Sequence, residues 1–255
     1  RMKHVKLMAV VVGLTLLMFG FAHAGKDLDA VKKKGYIQAG VNGGVFGFGM
    51  TDEKGVWKGL DVDTARAAAA AIFGDADKVK YSPLTAKERF TALQSGEIDI
   101  LSRNTTWTFS RDVDLKFTFV GVNYYDGQGF MVPKALGVSS AKDLDGATVC
   151  IQTGTTTELN LADFFRANNI SYEPVPIETN AEAQQQYLAG ACDTYTTDAS
   201  ALAASRATFE NGSDHVILPE IVSKEPLGPL VRHGDNEWGD IVRWTLNALI
   251  AAEEL

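Results

Sequence analysis

Cysteine and histidine are scarce in this chain of 255 residues, with two of the first and four of the second. His4 and His23 belong to an apolar N-terminal stretch, which leaves His215 and His233. Neither count supports a Cys/His zinc site or a small fold stapled by many disulfides. His215 and His233 sit beside strand-like segments, have no ligand spacing, and read as core or surface residues, so no metal is expected. Clustered positive charge is missing too: 24 Lys and Arg face 32 Asp and Glu, a net charge of -8, with no basic cluster after Lys34. Nucleic acid is thereby excluded as a partner, because phosphate binding needs grouped cations. Outside the N-terminal stretch no apolar run approaches the ~20 residues that span a bilayer. The glycine-rich stretch from Gly40 to Gly49 contains no G-x-G-x-x-G opening a helix, and no Gly-Lys-Ser/Thr occurs, so no nucleotide cofactor is expected. There is no G-x-S-x-G either. What is present, 45% hydrophobic and 22% charged residues, is the composition of a globular protein.

The N-terminus has the order of a secretory leader. Arg1, Lys3 and Lys6 precede a nearly continuous apolar run from Leu7 to Ala22, and Ala22-His23-Ala24 forms an A-x-A site before Gly25. Cleavage is expected after Ala24. A membrane anchor is the alternative, disfavoured because the run is short for a spanning helix. An exported chain meets an oxidising compartment, where Cys150 and Cys192 are most simply a disulfide. Two free buried thiols are the alternative.

Strand and helix signals alternate along the remainder. Tyr36–Val41, Val79–Tyr81 and Ile98–Leu101 are strand-like, and Ala65–Phe73 and Ala86–Gln94 are helical, closed by Gly74 and Ser95-Gly96. The order then repeats. Strands are expected at Ala147–Ile151, Tyr172–Ile177, Cys192–Tyr195, His215–Leu218 and Pro229–Val231. Helices are expected at Thr155–Ala167, Ala181–Ala189 and Ala199–Phe209. Such alternation implies βαβ units and mostly parallel sheets. Two α/β blocks result, with passages near Val122–Gly129 and Val222–Leu230 available to join them; two connections make a hinge rather than a tether. A last helix from Trp238 ends without a capping glycine, and Arg1 precedes Met2, so the chain reads as cut short.

Polar residues gather after the strands, where open α/β sheets bind ligands. The run Ser102-Arg103-Asn104-Thr105-Thr106 leads to Arg111, whose guanidinium can grip a carboxylate by two parallel bonds. Pairing with a surface acid is the bland alternative. Thr155 and Thr156 open a helix whose free N–H groups favour an anion, or else serve only as a cap. Asp198 starts another helix and is either an N-cap or a ligand carboxylate. One cation, one helix N-terminus and one carboxylate match an α-amino-acid zwitterion. None of them is a nucleophile beside a base, so binding without catalysis is favoured.

The strings GLDVDTARAAAAAIFG, RFTALQSGEIDILSRNTTWTFSRD, NYYDGQGFMV, CIQTGTTTELN and YTTDASALA resemble the periplasmic amino-acid-binding proteins of ABC transporters, most closely the general L-amino-acid (Aap/Bzt-type) component. The resemblance implies a type II-like two-lobed α/β fold with a two-segment hinge. Residues 1–24 would be the signal peptide, 25–124 lobe one, 125–225 lobe two and 226–255 an incomplete return to lobe one. Arg111 would hold the ligand α-carboxylate, helped by the backbone N–H groups of Thr106 and Thr156. Asp198 would hold the α-ammonium with the Asn104 carbonyl and the Thr106 hydroxyl. Asn42, Val45, Phe46 and Ala86 would border a roomy side-chain pocket. Asn42 stands where relatives often carry an acid, and Ala86 where they often carry an aromatic, which favours breadth. L-amino acids and a membrane permease are the implied partners, with the binding protein a monomer in the periplasm. A cyclohexadienyl-acid dehydratase on the same fold is the alternative, with Glu88 the only nearby general acid, and a receptor ligand-binding domain is another.

Overall fold

Glycines end the helices where the sequence puts them. In this computed structural model, which describes residues 25–255, Gly74 and Gly96 take left-handed φ values of 68° and 81° directly after their helices. The leader and its cleavage site lie outside the described residues. The first part of the chain contains α1 (Lys26–Lys34), β1 (Ile37–Val41), the short β2 (Met50–Thr51) and β3 (Trp57–Lys58), and α2 (Leu60–Phe73). It continues with β4 (Val79–Pro83), α3 (Glu88–Ser95), β5 (Ile100–Leu101), a π-helical turn at Ser110–Asp114, and β6 (Phe117–Phe119). Strand β7 (Tyr124–Asp126) leads out to β8 (Gln128–Pro133), β9 (Ala147–Gln152), α4 (Thr156–Asn168), β10 (Tyr172–Ile177) and α5 (Asn180–Leu188). After them come β11 (Thr194–Asp198), α6 (Ala199–Thr208) and β12 (His215–Ile217). Strands β13 (Glu225–Leu227) and β14 (Leu230–Arg232) lead back to α7 (Asn236–Ala252).

Two five-stranded sheets result, ordered β4-β1-β5-β14-β6 and β10-β9-β11-β8-β12. The expected parallel pairs form, β1 with β4 and β5, and β9 with β10 and β11. Each sheet also carries one strand that runs against the others, β14 in one and β8 in the other, each pairing antiparallel with both of its neighbours. The two crossings between the lobes pair with each other as a β7–β13 antiparallel ribbon, with Asp126 opposite Glu225. Each sheet buries its own clusters, such as Ile37, Val62 and Trp238 in lobe one and Phe130, Ile151 and Phe165 in lobe two. A smaller cluster of Val45, Phe48, Ala201 and Leu227 spans the junction. Helix α2 begins five residues before the expected Ala65, because Gly59 and the acids Asp61 and Asp63 already suit a first turn. Cys192 precedes β11 instead of lying in it, and is bonded to Cys150 of β9 with Cα atoms 5.6 Å apart.

Candidate functional site

Strands β5, β9 and β11 end on the same side of their sheets, and their C-terminal loops face one another across the junction. In lobe one the loop after β5 is shaped from below by Asp61. Its carboxylate accepts from the Asn104 backbone N–H at 2.7 Å and from Ser102 Oγ at 3.4 Å. Burial pushes the Asp61 carboxyl up to about 6, against the pull of that Asn104 bond. Asn104 itself sits at φ 32°, a strained conformation that such anchoring sustains. In lobe two Thr155 caps α4, accepting from the Glu158 N–H, while the Glu158 carboxylate accepts from Gly154 N–H at 2.9 Å. Asp198 precedes α6 yet makes no capping hydrogen bond. Its carboxylate instead lines the cleft.

That cleft measures about 20 Å³, space for a single water. Arg89, Arg103, Asn104 and Thr106 line it from lobe one, and Gln152, Thr155, Thr156, Thr157, Thr197 and Asp198 from lobe two. Arg103 and Gln152 also line an adjoining cavity of about 290 Å³ that reaches Asn42, Leu84, Thr85 and Asn180. Five of the sequence-nominated residues thus meet at one cleft: Asn104, Thr106, Thr155, Thr156 and Asp198. Asn42 borders the adjoining cavity, its amide donating to Asn104 Oδ1 at 3.0 Å and Asn180 Oδ1 at 3.3 Å. Val45 and Phe46 line a third cavity, of about 170 Å³, against α6. Ala86 is fully buried and borders none of the three. Arg111 is not part of the cleft wall; its guanidinium is buried behind it, donating to the Thr106 carbonyl at 2.8 Å and lying 5.1 Å over the Phe90 ring.

Charge at the site is concentrated and desolvated. Burial, reinforced by the charges of Asp126 and Glu225 and opposed by Arg89 and Arg111, raises the Asp198 carboxyl to about 8. Burial lowers Arg103 and Arg111 to about 10 each and pulls Arg89 well below its usual value. Two of these groups escaped sequence reasoning. Arg89 shares the buried face of α3 with Ala92 and Leu93, a spacing of three and four that could have marked it as inward-facing. Glu225, 2% exposed, sits in the hinge strand with no local pattern to betray it. Glu88, the one candidate acid, exchanges bonds with Thr85, its carboxylate taking the Thr85 N–H at 3.0 Å. Those bonds lower its pKa, the wrong direction for a general acid. Among the described residues no group of three His, Cys, Asp or Glu is arranged to hold a metal, and no helix is long and apolar enough to cross a membrane.

Two α/β lobes, two paired crossings and a polar cleft between facing loops define a bilobal solute-binding protein. The chain belongs to the bacterial extracellular solute-binding proteins, family 3, whose family model matches residues 37–255. It is 65% identical over 243 residues to the glutamate/glutamine/aspartate/asparagine-binding protein BztA of Rhodobacter capsulatus, covering 95% of this chain and 72% of that one. It is 58% identical over 250 residues to the general L-amino acid-binding periplasmic protein AapJ of Rhizobium johnstonii, covering 98% of this chain and 73% of that one. A solved periplasmic binding protein from Brucella ovis, with glutathione bound, matches with a TM-score of 0.86 at 58% identity, covering 91% of this chain and 73% of that one. The ancestral amino acid-binding protein AncCDT-1, a precursor of cyclohexadienyl dehydratase, matches at 30% identity with a TM-score of 0.74, covering 88% of this chain and 93% of that one. The relatives at 65% and 58% identity are solute-binding proteins and not enzymes.

Proposed function

We propose that this protein captures L-amino acids of broad range outside the cytoplasm and delivers them to the membrane permease of an ABC transporter. The observation that carries the reading is Asp198: a buried carboxylate at a helix start that caps nothing and instead lines a cleft opposite Asn104 and Thr106. In this reading Asp198 takes the α-ammonium, aided by the Asn104 carbonyl and the Thr106 hydroxyl. The α-carboxylate falls to the guanidiniums at the cleft, Arg111 directly behind its wall or Arg89 in it, aided by the backbone N–H groups of Thr106 and Thr156, with Thr155 holding the helix start in place. Asn42 borders the adjoining cavity, whose room of about 290 Å³ beside the cleft accommodates many side chains, while Val45 and Phe46 line a separate cavity and Ala86 borders none of them. BztA and AapJ, both named for the amino acids they bind, support the same class of solute.

The reading divides the chain into lobe one (25–124), lobe two (125–225) and a return to lobe one (226–255). It makes the protein a periplasmic monomer whose leader is removed after Ala24. Calorimetric titration of the mature protein against all standard amino acids tests it. Binding of several acidic and neutral amino acids with dissociation constants near 1 μM, about −8.2 kcal/mol, is expected. Tight binding of one amino acid alone defeats the breadth, and binding of none defeats the reading.

A further inference from the structure

Glu225 lies on the hinge strand β13, yet both oxygens of its carboxylate are engaged by the lobes. Oε2 accepts from Thr106 Oγ1 at 2.5 Å and from Thr156 Oγ1 at 2.9 Å. Oε1 accepts from Asn160 Nδ2 at 2.7 Å and from Ser223 Oγ at 2.5 Å. Thr106 belongs to the loop after β5 in lobe one, while Thr156 and Asn160 belong to α4 in lobe two. A carboxylate only accepts, and a hydroxyl owns one proton. Both threonines therefore spend their single proton on Glu225. Their oxygens nevertheless approach each other to 3.3 Å. No proton remains for that contact, so two sets of lone pairs converge where both residues line the cleft.

We propose that Glu225 is a positioning residue that sets the hydrogen-bond polarity of the cleft: it makes Thr106 and Thr156 acceptors only, and so selects ligands that offer a donor cation there. The inference rests on the amino-acid reading above and deepens it, because an α-ammonium satisfies both oxygens while an α-hydroxyl, with one proton, satisfies one. The arrangement exists only when the lobes meet. Thr106 and Thr156 come from opposite lobes and share one oxygen of the hinge acid, so ammonium recognition and closure are the same event. Asp198 supplies the opposing charge, and Glu225 supplies the orientation of the neutral groups beside it.

The test compares L-glutamate with L-2-hydroxyglutarate, which differ only in the α substituent, by calorimetric titration. The unmodified protein is expected to favour glutamate by at least about 100-fold. In Glu225→Gln the amide keeps its oxygen toward the Asn160 and Ser223 donors and turns its NH2 toward the threonines, so both hydroxyls lose their acceptor and can donate into the cleft, and the preference is expected to fall at least tenfold. Thr156→Val, which deletes one acceptor, should lower the preference similarly, and Thr156→Ser, which keeps the hydroxyl, should retain it. A merely structural role for Glu225 would weaken both ligands equally. Equal weakening in Glu225→Gln, or an unchanged preference in Thr156→Val, overturns the inference. If Glu225→Gln does not fold, the Thr156 pair decides alone. Failure of the unmodified protein to bind glutamate while other amino acids bind overturns this inference alone; failure to bind any amino acid refutes the amino-acid reading and this inference with it.

Discussion

Asp198 stands at the start of a helix and declines the usual duty of that position, leaving a buried carboxylate to the cleft. In the folded protein it holds its proton to about pH 8, whereas in the unfolded chain a carboxyl ionises near 3.9. The folded state therefore binds more protons across this window, and the group makes the ligand-free protein less stable as pH rises from about 4 to 8. A ligand ammonium requires the ionised form. Binding below about pH 8 must then expel a proton, and affinity should rise with pH by up to about tenfold per unit, levelling above 8. Titration calorimetry in buffers of different ionisation enthalpy measures that release, which Asp198→Asn should abolish. Arg111→Lys should weaken every amino acid by roughly 10- to 100-fold, since a point cation cannot reproduce a bidentate grip. Unchanged affinity in that variant, with loss in Arg89→Lys, would transfer the carboxylate to the guanidinium that does line the cleft. At this scale the sequence was informative where a residue type sits at a strand end, as with Asn104, Thr106, Thr156 and Asp198. It was silent on Arg89 and Glu225, whose roles come from long-range packing.

Helix starts supply the firmest test of stability. One carboxylate, Asp235, serves two helices: Oδ1 accepts from Trp238 N–H at the start of α7, and Oδ2 accepts from Asp27 and Leu28 N–H at the start of α1, each at 2.9 Å. Asp27 in turn pairs with Arg232 of β14 at 2.7 Å. Asp235→Ala should lower unfolding free energy in urea by about 2–4 kcal/mol, two caps lost together, with affinity per folded molecule unchanged. The Cys150–Cys192 bond joins β9 to the turn before β11, 42 residues apart. Its reduction should cost roughly 3–4 kcal/mol on the chain-entropy model. Intact-mass analysis after alkylation without reductant should find no free thiol in periplasmic protein. Helices with glycine stops and strands in parallel pairs were legible because local patterning determines them. Helix α1 was not, since only Leu28 and Val31 of its nine residues are buried. Strands β6 and β13 were not, because three residues carry no periodic signal, and neither was β8, whose continuous buried run from Gln128 to Val132 shows no alternation.

As a whole the molecule holds its lobes in contact. Lys87 pairs with Glu178 across the junction at 2.6 Å, and Arg89 reaches the Gly154 carbonyl at 3.4 Å. Gly154 has φ 75°, and a Cβ there would stand 3.0 Å from Lys87 Cγ and 3.4 Å from Lys87 N. Gly154→Ala meets backbone strain of about 1–2 kcal/mol in any arrangement, but the clash only when the lobes touch. Affinity should therefore fall about tenfold beyond the loss of ligand-free stability, measured by calorimetry and thermal unfolding together. Closure itself should appear in small-angle scattering as a smaller radius of gyration with saturating amino acid; an unchanged radius would contradict it. The β7–β13 ribbon also has a temporal consequence. Strand β14 lies inside the lobe-one sheet, between β5 and β6, and so completes it only after the whole of lobe two has been made. Lobe two is continuous from β8 to β12 and can assemble by itself. A chain made N-terminus first therefore has a leading lobe that cannot finish on its own: the second lobe can close while the first still waits for one strand, and the two become complete in the reverse of the order in which they are made.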